Sequence, residues 1–338
     1  MSIENTKSKR NCSIDIFRLL FAIYVVAIHS TPAVLESLPL LDTTLSSLFR
    51  FAVPFFLMVS GYYFFANVEK NTSRSGLTSY LKKIIVIYAF WSVPYFVINF
   101  ISWGHTSLVG FAIDCVYSFF LRGSYYHLWY FPALIFAVCI SAALYGLKLK
   151  RFLILIAAVL YSACYIISTY NLLSAVPLAT PVISILQPLT SGLFYFSCGQ
   201  LIKYFYDKFA DSSKRNGLRY ILPLSVIIWF ATIWLDYFYT LQLDFIIILG
   251  IYLNVGLIVL VLLFHPMPQL ASTAKKCRFV ANFTYYAHPI FLFIIETIRK
   301  NWFSFSDFWY LPVTVFLCLT AGLILHKANS KVINRFIG

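Results

Sequence analysis

Residues 13–30 read SIDIFRLLFAIYVVAIHS. This is the first of ten apolar runs near the length of about 20 residues that a helix needs to cross a hydrocarbon core. Working outward, the others fall at 48–67, 81–103, 127–147, 151–170, 187–206, 218–239, 242–264, 281–298 and 307–327, with the first extended over 14–33. Composition agrees. Of 338 residues 61% are apolar, 19% aromatic and 11% charged, with mean hydropathy +0.81. A soluble domain carries about 25% charged residues, so the chain cannot cover a surface with water as its only solvent. The expected fold class is all-α, a polytopic transmembrane helix bundle of about ten spans, forming a single membrane domain over 1–338. The apolar piece 108–121 is too short to cross and reads as interfacial or re-entrant. The stretch 171–186, with two prolines and no charge, reads as a shallow loop.

The net charge of +14 does not imply nucleic acid, because the basic residues sit in short clusters between apolar runs. Cytoplasmic loops are enriched in Lys and Arg. With the N-terminus inside, 22 of the 26 Lys and Arg residues fall on the inner side; Arg50, Arg122, Arg299 and Lys300 are the four outside. Both termini are therefore expected in the cytoplasm, with the chain in a cell membrane. The first run keeps Arg18 and His29 and lacks a small-residue cleavage site, so it reads as a retained anchor rather than a signal peptide. The seven cysteines show no CxxC and no metal-ligand spacing; they read as small hydrophobes, and no metal is expected. No soluble-domain-sized segment flanks the spans, so any soluble partner is expected to be a separate protein.

Ionisable side chains inside a span cost about 2.5–3.5 kcal/mol each on insertion scales, so each one asks for a reason. Arg18 and His29 are eleven residues apart, three helical turns, on one face and about 16 Å apart along the axis. Asp15 shares that face approximately and is within reach of Arg18. Taken singly, Arg18 suits a snorkelling anchor and His29 a core histidine bonded to a neighbouring helix. Together they suggest a polar path from the cytoplasm to a histidine able to act as base or nucleophile near neutral pH. Arg50 stands before VPFFLMVSGYYFF (53–65), where Pro54 can break the helix and Ser60-Gly61 offer a small surface for close packing. Arg122 and His127 flank a Tyr pair before Trp129 and Tyr130, an arrangement an aromatic interface belt explains only in part. In the ninth run, His288 precedes Pro289, whose ring frees a carbonyl there. Glu296 follows on the same helix. His105, His265 and His326 carry no evident role.

Arg18-x10-His29, VPFFLMVSGYYFF at 53–65, YHLWYFPAL at 126–134 and YYAHP at 285–289 together resemble the acyltransferase-3 family of ten-span membrane acyltransferases. The likeness runs in order from residue 13 to about 327. The look-alikes are O-acetyltransferases of bacterial surface glycans and the membrane half of membrane-bound serine racemases from vancomycin-resistance operons. The racemases carry a further pyridoxal-phosphate domain, absent here, so racemase activity is not expected.

The resemblance implies a mechanism. Acetyl-CoA or another acyl-CoA approaches from the cytoplasm, with Arg18, Lys82 and Lys83 on its phosphates. His29, with Arg18, is catalytic, as general base or acyl carrier. An outer acceptor, a surface glycan or related envelope hydroxyl, meets Arg50, Ser60, Tyr62, Arg122, His127, Trp129, Tyr286 and His288. Arg50, Ser60 or Tyr62 would supply the oxyanion contact. The competing expectation is a permease for a small polar solute such as an amino acid, lined by Arg18, His29, His288 and Glu296.

Overall fold

The structure, a computed structural model, describes residues 11–30, 37–68, 74–102, 107–170, 172, 176, 179–210, 217–302, 306–328 and 330–337. Among these residues every regular element is helical. The α-helices are α1 (Cys12–His29), α2 (Pro39–Phe49), α3 (Ala52–Val68), α4 (Arg74–Ser102), α5 (Leu108–Tyr117), α6 (Tyr130–Gly146), α7 (Leu153–Thr169), α8 (Ala179–Phe209), α9 (Leu218–Tyr239), α10 (Asp244–Phe264), α11 (Ala271–Asn301), α12 (Tyr310–Ala328) and α13 (Lys331–Ile337). Lys7, Lys9, Arg10, Lys70, His105, Lys214 and Arg215, the ends of the expected spans at 31–33 and 103, and most of 171–178 lie outside the described residues.

Each of the ten apolar runs falls on a helix. Among the described residues, eight helical stretches are long and apolar enough to cross a bilayer by length and composition; α6 is shorter, at 17 residues. In α11 the apolar middle lies between Lys275, Lys276 and Arg278 at one end and Glu296, Arg299 and Lys300 at the other. Three expected boundaries move. The first helix stops at His29, where the Ser30 N–H turns back to the Ala27 carbonyl. The second run is broken near its start, at Arg50–Phe51, between α2 and α3. Pro54 therefore sits in the first turn of α3, where its missing N–H would have had no partner anyway. Residues 179–186, expected as loop, are the first turns of α8. The piece 108–121 is α5 running into a π turn, Ser118–Arg122.

The chain packs as two compact units, Met1–Ala52 with Tyr206–Gly338, and Val53–Phe205. In the first, α1 and α11 form the most extensive helix pair. Asp15 meets Arg278 at one end and His29 meets His288 at the other, so the two helices run parallel. Two parallel spans have an odd number of crossings between them, as a first and a ninth span do. α12 returns antiparallel along α11, with Phe279 on His326 and Gly322 seated on Val280 and Phe283. α9 and α10 form an antiparallel hairpin pinned by Trp229 Nε1 donating to the Ile247 carbonyl and Ser225 Oγ donating to Asn254 Oδ1.

Asn11 joins two helix ends. Its Oδ1 accepts from the Ile14 N–H to cap α1, and its Nδ2 donates to the Leu262 and Leu263 carbonyls at the end of α10. Such a cap is worth about 1 kcal/mol, and here it also satisfies carbonyls that an apolar environment would leave unpaired. This fixes where α1 starts, and hence where Asp15 and Arg18 stand.

In the second unit α8 packs against α3 and α6 without intervening side chains. A Cβ on Gly61 would strike the Phe196 carbonyl, with its carbon at 2.9 Å, and one on Gly192 would lie 2.6 Å from Ala133 Cβ. The small surface at Ser60-Gly61 is thus used as expected.

Candidate active site

The seam between α1 and α11 carries two polar clusters. At its start, Arg18 Nη1 lies 3.7 Å from Asp15 Oδ1, and Arg278 Nη1 lies 3.7 Å from Asp15 Oδ2. One carboxylate thus stands between two guanidinium groups, one from each helix. Asp15 is 4% exposed and Arg278 is 8% exposed. The pair Asp15–Arg18 is the one its i, i+3 spacing predicts. Arg278 reads from sequence as only an inner-side cation. Its buried location was nonetheless legible in spacing: Ala274, Arg278, Ala281, Tyr285 and His288 are all buried, and steps of three and four residues form one helical stripe.

At the far end of the seam, the His29 and His288 rings stack at 5.5 Å between centroids and 17° from parallel. His29 closes α1 and is exposed; His288 is fully buried. The local reason for the His288 geometry is Pro289. A proline at 289 cannot donate to the Tyr285 carbonyl four residues back. His288 Nδ1 takes that carbonyl at 3.0 Å and the Thr284 carbonyl at 3.1 Å. Since a carbonyl only accepts, Nδ1 carries the proton and Nε2 is the acceptor of the neutral ring. The helical rise puts the two clusters about 15 Å apart along the seam.

The other expected site residues of this unit are placed as follows. Arg50 is the exposed C-cap of α2. Tyr286 is half-buried beside Tyr285. Glu296 is held at the end of α11 by Arg299 at 3.3 Å, Lys300 at 3.1 Å and the Tyr310 hydroxyl, while Arg299 reaches Asp307 at 2.7 Å. That cluster closes the turn from α11 to α12.

In the second unit, Ser60 Oγ and Tyr130 Oη are 3.2 Å apart, joining α3 to α6, and Tyr62 is buried beside Tyr63. His127 is 2% exposed, edge-on to Tyr95 at 4.9 Å and Tyr126 at 5.7 Å. Ser124 Oγ beside it lies 2.6 Å from Ser92 Oγ and 3.1 Å from Tyr88 Oη, and the Ser124 N–H donates to Tyr88 Oη. Gly123, at φ +92°, makes the turn that sets this loop, since a Cβ there would collide with the Trp129 backbone. The half-buried Trp129 is the N-cap of α6. Arg122 does not turn toward His127: its guanidinium pairs with Asp114 at 3.1 Å and covers the Tyr117 ring. Lys82 and Lys83 are exposed on α4. The tyrosine–serine network around Ser124 is not legible in the sequence, because hydroxyl residues on separate helices leave no spacing signal.

Comparison with known proteins places this arrangement. Residues 11–327 match the family model described as an acyltransferase domain, Acyl_transf_3. An amino-acid racemase of Enterococcus faecalis is 30% identical over 312 residues, 85% of this chain and 42% of that protein. A serine/alanine racemase of Enterococcus gallinarum is 30% identical over 231 residues, 64% of this chain and 32% of that protein. The chain thus spans less than half the length of these curated relatives. No solved structure matches. The Arg18-x10-His29 helix, the VPFFLMVSGYYFF run and the histidine seam lie within a multi-pass helical membrane protein that belongs to the acyltransferase-3 family.

Proposed function

We propose that the chain transfers an acetyl group from cytoplasmic acetyl-CoA to a hydroxyl of a cell-surface glycan or related envelope acceptor, with His29 at the reacting centre. The observation that carries this reading is the two-ended α1–α11 seam. Guanidinium groups at one end suit CoA phosphates, and a reachable imidazole at the other suits the thioester. In the transfer, the acceptor oxygen attacks the thioester carbonyl, the C–S bond breaks and the ester C–O bond forms. His29 takes the hydroxyl proton, which leaves with the CoA thiolate. In the covalent version, His29 attacks the thioester first and passes the acyl group on. Both need its ring exposed, as it is. His288 supports the His29 ring from behind. Lys82 and Lys83 add positive charge for CoA, while Arg50, Ser60, Tyr62, Arg122, His127, Trp129 and Tyr286 serve acceptor recognition and oxyanion stabilisation. The Lys and Arg distribution supports ten spans with both termini in the cytoplasm of a bacterial cell.

One observation favours a second reading. The relatives that cover most of this chain are named for racemisation of amino acids, which favours a permease that carries an amino acid across the membrane. Two assays on one proteoliposome preparation separate the readings. Acyl-CoA-dependent release of CoA without serine or alanine flux supports transfer; flux without thioester turnover supports a permease and removes the transferase.

A further inference from the structure

We infer that Arg278, together with Arg18, forms a buried site for a phosphate-type oxyanion at the start of the α1–α11 seam. This deepens the acyltransferase reading and, in assigning the anion to the CoA moiety, rests on it. Two guanidinium groups share the single carboxylate of Asp15, and both contacts are 3.7 Å, too long for hydrogen bonds. Arg278 is 8% exposed, and its Nε and Nη1 have no hydrogen-bond partner; neither has the buried Nε of Arg18. Buried ionic groups are tolerated when paired and hydrogen-bonded; among the described residues two guanidinium groups face this one carboxylate, with donors of both unspent. Guanidinium forks match the oxygens of phosphate in geometry as well as charge. The missing acceptor is therefore an anion with several oxygens. Acyl-CoA supplies one through its pyrophosphate or 3′-phosphate; an anionic lipid headgroup would supply the same chemistry.

The test uses the full chain in nanodiscs of zwitterionic lipid. Affinities of CoA, dephospho-CoA and phosphate-free pantetheine are measured for wild type, Arg278→Ala, Arg278→Lys and Asp15→Asn. Wild type should prefer CoA to pantetheine. Arg278→Ala should weaken CoA at least tenfold while leaving pantetheine unchanged, and Arg278→Lys should recover part of the difference. Asp15→Asn, which removes the internal competitor, should enlarge the thermal stabilisation given by CoA. A merely structural Arg278 lowers the melting temperature without altering the CoA-to-pantetheine ratio, and that result overturns the proposal. If wild type binds no CoA but phosphatidylglycerol stabilises it and not Arg278→Ala, the anion site stands, its source is lipid, and the acyltransferase reading fails separately. If neither anion discriminates wild type from Arg278→Ala, the site itself is refuted.

Discussion

His29 and His288 present their ring faces to each other at 5.5 Å, one exposed at the end of α1 and the other sealed inside α11. The sealed ring is oriented by the two carbonyls that Nδ1 holds. In the proposed reaction it supports the exposed ring.

His288→Phe keeps an aromatic face and removes both nitrogens. It should leave the protein folded and monodisperse, with acyl transfer reduced, by less than the roughly 100-fold or more that loss of a proton-transferring group costs. Unchanged turnover would assign His288 to packing alone. Activity is read as CoA release beside a size-exclusion profile.

The α3–α8 crossing should be intolerant of a methyl group. Gly61→Ala drives a Cβ into the Phe196 carbonyl, which is backbone and cannot rotate away. Overpacking of this kind costs about 1–3 kcal/mol, and the melting temperature in detergent should fall. Gly256→Ala, within α10 and with no atom within 4 Å of its new Cβ, should be neutral or slightly stabilising. Equal shifts for both would contradict the close approach.

Glu296 gives a negative prediction. It is bound to Arg299, Lys300 and Tyr310 at a partly exposed helix end, so Glu296→Gln should change stability by no more than about 1 kcal/mol and leave CoA turnover intact. A carboxylate lining a solute path would behave otherwise: its neutralisation would abolish amino-acid flux in proteoliposomes.

Much of this was legible in the chain. Long apolar runs specify helices in a bilayer because no other local structure satisfies their backbone there, and each of the ten runs is helical. The one-face reading of Asp15 and Arg18 came from helix geometry, and their contact agrees with it. Boundaries were less legible. Ala179–Leu186 lacks charge and holds Pro181 near its start, which suits a first helical turn as well as a loop. Side-chain partners across helices were least legible. Arg278 sits among Lys275 and Lys276, and only the period of its buried neighbours separates it from them. Arg122 is expected on substrate, and its ion pair with Asp114, eight residues earlier, carries no signal in the spacing. Among the cysteines, Cys12, Cys164 and Cys318 are buried as small hydrophobes, but Cys139 is exposed on α6.

The most direct measurement is transfer of labelled acetyl from acetyl-CoA to an envelope-glycan acceptor by purified protein in nanodiscs, wild type beside His29→Ala. Loss of transfer by a factor of about 100 or more in a folded His29→Ala protein, with CoA still bound, is the predicted result. Transfer at the wild-type rate without the His29 imidazole would contradict the account.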